Sequence, residues 1–203
     1  DRTAYGQGLA DEFANAARAG GGAVGAREFT NDRATDFSAI LTSIKGKTPD
    51  LIFFGGMDPQ GGPMAKQMKS LGLTAKLLGG DGLQNVNFVK LAGSDAEGVV
   101  ASSPGLPIDS MPGGPDFRKR FEAKYGVIQV YAPYAYDAVY ALVDAMKRAN
   151  SAEPAKVLAE LPKTDLQGVS GPVKFDAKGD TTGGAVTLYE VKGGAWQVLE
   201  TVH

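Results

Sequence analysis

An α/β fold on an open parallel sheet is what this sequence predicts, from three observations. Short apolar runs recur about every 25 residues between Val24 and Ala101, separated by stretches with helical periodicity, the pattern of successive βα units. Two of those runs stop at paired glycines and then offer polar side chains, Gly55-Gly56-Met57-Asp58 and Gly79-Gly80-Asp81-Gly82. Such an ending marks the carboxyl end of a buried parallel strand where backbone must approach a ligand. The third observation is an absence: the chain has no cysteine, and its only histidine is His203, the last residue. Ser-His-Asp and Cys-His catalysis, zinc fingers and CxxC redox chemistry therefore lack their parts, and binding is expected at the strand ends rather than bond breaking.

At the start of the chain, Leu9, Phe13 and Ala16 share one face of an opening helix that stops at Gly20-Gly21-Gly22, and a short strand is expected over residues 24–29. Asp36 opens a helix in which Phe37, Ile40, Leu41 and Ile44 recur at i, i+3, i+4 and i+7, before Pro49-Asp50 lead into a strand over residues 51–54. Pro63 starts the next helix, which carries Met64, Met68 and Leu71 and ends at Gly72; the next strand covers residues 75–78. A short helix with Phe88, Val89 and Leu91 then leads to a strand over residues 99–101. Four prolines and three glycines crowd residues 104–115, which marks a crossing segment or a domain boundary.

Beyond it the pattern is helical. Residues 116–124 are amphipathic, residues 131–148 form a long helix with Tyr136, Val139, Tyr140 and Val143 along one side, and Glu153-Pro154 open a third helix through Leu161. Residues 173–176 read as a short strand or turn entry, and residues 186–192 pair with 196–199 across Gly193-Gly194 as a hairpin. These helices carry apolar faces that the same half of the chain supplies almost no strands to cover. A large apolar side chain left in water forfeits roughly 1.5 to 3 kcal/mol, so the residues are expected to belong to a longer protein. On its own, the chain is expected to bind ligand poorly and to associate through those helices.

At 203 residues and 43 % hydrophobic content there is ample material for a core, as one large or two modest domains. A formal charge of -2 leaves no electrostatic footprint for nucleic acid, and no apolar run reaches the length of a bilayer span. Neither a nucleic-acid partner nor membrane insertion is expected. Arg118-Lys119-Arg120 lies between Phe117 and Phe121 in a helical pattern and reads as a solvated face. The lack of cysteine suits the periplasm and the cytoplasm alike.

Gly20-Gly21-Gly22-Ala23-Val24-Gly25 satisfies G-x-G-x-x-G literally, but it closes a helix and enters a strand. A dinucleotide site needs the reverse, with phosphate at a helix N-terminus. No phosphate-binding P-loop and no calcium loop occurs, so no cofactor and no metal is expected. Asp58 and Asp81, at neighbouring strand ends, keep a paired-carboxylate enzyme as a third reading. Asp81 is either an Asx turn closing the loop after Leu78 or a cleft carboxylate that pairs with a ligand cation. Tyr5, before Gly6-Gln7-Gly8, either packs over the helix start or offers ring and hydroxyl to a ligand. Met57 is core packing or a pliable pocket wall.

Taken together, Tyr5-Gly6-Gln7-Gly8-Leu9, Asp36-Phe37-Ser38, Phe53-Phe54-Gly55-Gly56, Gly79-Gly80-Asp81-Gly82, Ala96-Glu97-Gly98, Tyr134-Ala135-Tyr136-Asp137-Ala138 and residues 171–180 resemble the periplasmic leucine/isoleucine/valine-binding proteins, in order along essentially the whole chain. The resemblance implies a type I periplasmic binding-protein fold, two open parallel-sheet lobes joined by three crossings, with the amino-terminal part absent from this chain. Roughly 140 residues of a mature family member would precede Asp1. Residues 1–104 would be lobe two without its first strand, 105–185 the carboxyl-terminal segment of lobe one, and 186–203 the hairpin returning to lobe two.

The resemblance also implies a role for each site residue. Asp81 falls where the family has an acid that accepts the ligand ammonium, Tyr5 where a tyrosine contacts the ligand head group, and Met57 where a bulky side chain lines the pocket. Aspartate stands where glutamate is common, and methionine where tyrosine is known. The groups that hold the ligand carboxylate would lie upstream of Asp1. The function so implied is that of a periplasmic, non-enzymatic solute-binding component that captures a small amino acid, branched-chain in this family, by two-lobe closure and presents it to an ABC importer permease. The alternative is a ligand-sensing domain of the same fold in an amide- or amino-acid-responsive regulator or receptor. The sequence does not choose among leucine, isoleucine, valine, phenylalanine or an amide.

Overall fold

The computed structural model describes residues 1–202; the single histidine, His203, lies outside the described residues. In chain order the elements are α1 (Ala4–Ala19), α2 (Ser38–Lys45), β1 (Leu51–Phe54), α3 (Asp58–Ser70), β2 (Lys76–Gly79), α4 (Val86–Ala92) and β3 (Val100–Pro104). They continue with α5 (Gly114–Tyr125), α6 (Ala132–Ala149), α7 (Pro154–Glu160), β4 (Asp165–Gln167), β5 (Pro172–Lys174), β6 (Val186–Lys192) and β7 (Ala195–Val202). The chain divides into two compact units, one of residues 1–103 with 188–200, the other of residues 104–187 with Thr201 and Val202.

The first unit is the α/β one. Its sheet runs in the order β1-β2-β3-β6-β7. β1 and β2 pair in parallel from Leu51↔Lys76 to Phe54↔Gly79, and β2 and β3 pair in parallel at Leu78↔Val100. Alternate side chains of β1 and β2 point inward, so Ile52, Phe54 and Leu77 are buried against Phe37 and Leu41 of the α2 region, Met64 and Met68 of α3, and Phe88 of α4. β6 and β7 are joined by Gly193-Gly194 alone, a link so short that the strands must be antiparallel. Both glycines have positive φ, 60° and 75°, which a two-residue hairpin turn demands. The Glu97 carboxylate accepts both of their amides, at 2.9 and 3.3 Å.

The structure corrects the sequence expectation at three places. Residues 24–29 form no strand: they are irregular and mostly exposed. A strand exists only where its amides and carbonyls find a partner ladder, and among the described residues none pairs with this segment. The helix expected from Pro63 begins a full turn earlier, at Asp58, with Pro59 in its first turn and Pro63 inside it. Proline at the first turn costs nothing, because the missing amide would be unpaired there anyway. The helix expected from Asp36 begins at Ser38, with the Asp36 carboxylate accepting the Ser38 amide at 2.9 Å.

The second unit is built on helices with one small antiparallel sheet, β4 with β5, paired from Asp165↔Lys174 to Gln167↔Pro172. β4 escaped the sequence reading because three residues with alternating exposure carry too little periodicity. On α6, Pro133, Asp137, Ala141 and Ala145 recur every four residues and are buried. Val139 at 57 % and Tyr140 at 55 % exposure stand on other faces, with Leu142, Val143 and Met146 also exposed. Asp137 is the one charged side chain among the buried polar groups of the described residues. Its oxygens accept the amides of Val169 at 2.7 Å and Ser170 at 2.8 Å, and the Ser170 hydroxyl at 2.6 Å.

Candidate functional site

Parallel pairing brings the two glycine-rich endings together. With Phe54 opposite Gly79, the carboxyl ends of β1 and β2 lie on the same sheet edge, and Gly55-Gly56-Met57 runs beside Gly80-Asp81-Gly82. The loops are tied through backbone: the Asp58 amide, in the first turn of α3, donates to the Gly82 carbonyl at 3.0 Å. Turns close the second loop, the Leu83 amide reaching the Gly80 carbonyl and the Gln84 amide the Asp81 carbonyl, both at 3.0 Å. Asn85 then caps α4, its side-chain oxygen accepting the Phe88 amide at 2.9 Å while its amide group donates to the Gly82 carbonyl at 3.2 Å.

α1 delivers the third residue. Thr3 caps that helix, its hydroxyl accepting the Gly6 amide at 3.0 Å. Within the first turn, Gly6 lies backbone against backbone on Gly55: a β-carbon on either would collide with the other's carbonyl oxygen. Further along, the Phe13 ring stacks on Phe53 at 4.2 Å between centroids. This docking sets Tyr5 above the strand ends. Its hydroxyl donates to Asp81 Oδ1 at 2.8 Å and accepts the Gly82 amide at 3.1 Å.

Tyr5 and Asp81, singled out from sequence, are therefore in direct contact across 76 positions, and the carboxylate binds outside its own turn. Met57 is next to them. A β-carbon at Gly82 would stand 2.7 Å from Met57 Sδ and 3.1 Å from the Tyr5 hydroxyl, so both side chains close on the glycine that follows Asp81. Met57 is 42 % exposed, which favours a surface lining over core packing. Asp58 faces other work: its carboxylate accepts from the Asn87 side chain. The sequence reading missed the glycines' second purpose, clearance for a hydroxyl, although the doubled Gly-Gly signature announced it.

The electrostatics are those of a half-buried polar cluster. Burial pushes the Tyr5 phenol up to about 12, the Asp81 hydrogen bond and negative charge push the same way, and the Gly82 amide opposes them. Tyr5 thus stays a neutral donor at any physiological pH. A cavity of about 160 Å³ opens at the opposite end of β2, lined among others by Met68, Lys76, Leu77 and Val99. It is remote from the Tyr5-Asp81 pair, whose chemistry, a carboxylate held by a neutral donor beside glycine backbone, suits a cation. Among the described residues no group of three or more His, Cys, Asp or Glu could hold a metal ion, and no helix is long and apolar enough to cross a membrane.

Comparison with known proteins adds to the geometry. The sequence profile of the family described as "Periplasmic binding protein" matches residues 1–195. The Leu/Ile/Val-binding protein BraC3 of Rhizobium johnstonii is 34% identical over 200 residues, covering 96% of this chain and 53% of the relative. The chain thus spans about half the length of the relatives it matches. Among solved structures, the leucine binding protein LivK of Thermotoga maritima superposes with a TM-score of 0.90 at 29% identity, over 98% of this chain and 57% of that one. The branched-chain amino acid transporter substrate binding protein LivJ of Streptococcus pneumoniae, solved in complex with isoleucine, gives 0.78 at 26% identity over 98% and 56%.

Proposed function

The chain belongs to the periplasmic binding protein family, and from that membership we propose that it grips a small zwitterionic amino acid, branched-chain or of similar size, for an ABC importer. The observation that carries the reading is the Tyr5-Asp81 pair at the carboxyl ends of two parallel strands, the edge at which open α/β sheets hold ligands. Asp81 accepts the ligand ammonium. Met57 and the ring of Tyr5 supply apolar surface to the ligand body. The names of the relatives, one binding Leu, Ile and Val and another solved with isoleucine, favour an aliphatic side chain.

The physics of capture is a matter of water. An ammonium beside a carboxylate in bulk solvent gains about 1 kcal/mol, and several times that where closure lowers the effective dielectric. A second lobe closing over the ligand supplies that change, and the closed form is what the importer permease receives. Residues 1–104 and 186–203 serve as one lobe, and 105–185 as part of the other. The site lies outside the cytoplasm, in the periplasm. No bond in the ligand is broken, and no cofactor is called for.

The test is calorimetric titration of a full-length form with leucine, isoleucine, valine and 4-methylpentanoate, which is leucine without its amino group. Binding of at least one amino acid at micromolar Kd or tighter, with the des-amino acid at least a hundredfold weaker, is the expected result. Equal affinity for leucine and 4-methylpentanoate would remove the ammonium, and with it Asp81, from recognition.

A further inference from the structure

The chain holds one Asp-Gly bond, Asp81-Gly82, and no Asn-Gly. From its surroundings we infer a modification site: Asp81-Gly82 is a latent isoaspartate site, which the fold keeps closed by tying both reacting groups to the Tyr5 hydroxyl. The inference stands whether or not Asp81 receives a ligand ammonium, and it is compatible with a ligand contact by Tyr5.

The chemistry belongs to the dipeptide. The Gly82 nitrogen loses its proton and bonds to Asp81 Cγ, while one carboxyl oxygen departs as water with that proton and one more from solvent. A second water then opens the five-membered ring. Cleavage of the new bond restores aspartate. Cleavage of the original peptide bond leaves the backbone running through Cγ, longer by one methylene, with the α-carboxylate as a side group. A glycine nitrogen attacks most readily, because no β-carbon shields it and its backbone turns freely in an unfolded chain.

Packing makes glycine obligatory here. A β-carbon at Gly82 would stand 2.6 Å from the Gly56 carbonyl oxygen and 2.7 Å from Met57 Sδ. The close approach of the two strand-end loops thus sets the most labile partner an aspartate can have directly after Asp81.

The same packing restrains the reaction. The Tyr5 hydroxyl donates to Asp81 Oδ1 at 2.8 Å and accepts the Gly82 amide at 3.1 Å, so one atom holds an oxygen of the electrophile and the proton of the nucleophile. Ring closure disrupts both bonds: the carboxyl has to rotate until Cγ faces the nitrogen, and the nitrogen has to shed the proton it donates. The peptide between the two residues has to turn as well. Against that stand the bonds from the Leu83 amide to the Gly80 carbonyl and from the Gln84 amide to the Asp81 carbonyl, both at 3.0 Å. The Gly82 carbonyl is anchored too, by the Asp58 amide at 3.0 Å and the Asn85 side chain at 3.2 Å.

The experiment is ageing of a full-length form at neutral pH, with isoaspartate counted by enzymatic carboxyl methylation and assigned to positions by peptide mass spectrometry. In urea, where the chain is unfolded, isoaspartate should collect at Asp81 at least about a hundredfold faster than in the native protein. Tyr5→Phe, checked for folding by thermal melting, removes a hydrogen bond from each reacting group and should raise the native rate at Asp81 about tenfold. Asp109-Ser110, in the second unit, should keep its rate in that variant. A native rate equal to that in urea, or a Tyr5→Phe rate equal to the native one, would overturn the inference. So would a rise shared with Asp109-Ser110, which would mean general loosening of the chain. Should Tyr5→Phe fail to fold, hydrogen exchange at the Gly82 amide of the unaltered protein decides: protection of about a hundredfold or more is expected, and an unprotected amide overturns the assignment.

Discussion

At position 55 a methyl group would meet the carbonyl oxygen of Gly6, backbone against backbone, with no flexible side chain to yield. Gly55→Ala is therefore expected to destabilise the first unit by about 1 to 3 kcal/mol, seen as a lower urea midpoint, and to lift α1 off the sheet edge. A variant with an unchanged midpoint would show that the contact is not tight. Tyr5 carries a second prediction. Its phenol ionises near 12 in the folded chain against about 10 unfolded, so between those values the native state holds a proton that the unfolded state has lost. Its contribution is complete below pH 10 and lost as pH rises toward 12. Urea melts at pH 9, 10 and 11 should show stability falling more steeply than in Tyr5→Phe, and parallel slopes would contradict the burial of the phenol. The sequence left Asp81 open between a local Asx turn and a cleft carboxylate, and the structure has it accept the Tyr5 hydroxyl. That bond was not legible, because nothing local in either segment encodes a contact 76 positions away.

Among elements, the paired strands of the first unit were legible, the three-residue β4 was not, and the segment without a partner was misread. β1 and β2 have apolar runs, glycine endings and each other; residues 24–29 offer Val24 and Phe29 but have no ladder to join. The hairpin of β6 and β7 was readable from Gly193-Gly194, since few other residues accept two successive positive φ values. α6 shows the opposite case. Its apolar periodicity was plain, but no local pattern signals that Asp137 turns inward to hold the loop at residues 168–170, where Gly168 leaves room for the carboxylate. Asp137→Ala strands two amides and a hydroxyl, at a cost of about 3 kcal/mol. Hydrogen exchange at the Val169 and Ser170 amides should quicken by at least a hundredfold, and unchanged protection would mean that other groups hold the loop.

For the molecule as a whole, the exposed Val139, Tyr140, Leu142 and Val143 of α6 are apolar surface that water penalises. Sedimentation of the 203-residue chain should show association that grows with concentration, and a monodisperse monomer at all concentrations would contradict this. The first unit, by contrast, brings three segments together at one edge: a helix start, a strand end and a second strand end, each shaped by glycine so that they pack closely. The chain belongs to the periplasmic binding protein family, and the function proposed above rests on one charge at that edge, Asp81. The most direct measurement is a leucine titration of Asp81→Ala beside the unaltered full-length protein, with thermal melting to establish that both are folded. The expected result is a loss on the order of 3 to 5 kcal/mol in binding free energy, because the enclosed ammonium would have no counter-charge. A folded Asp81→Ala protein that binds leucine as tightly as the original would contradict the assignment.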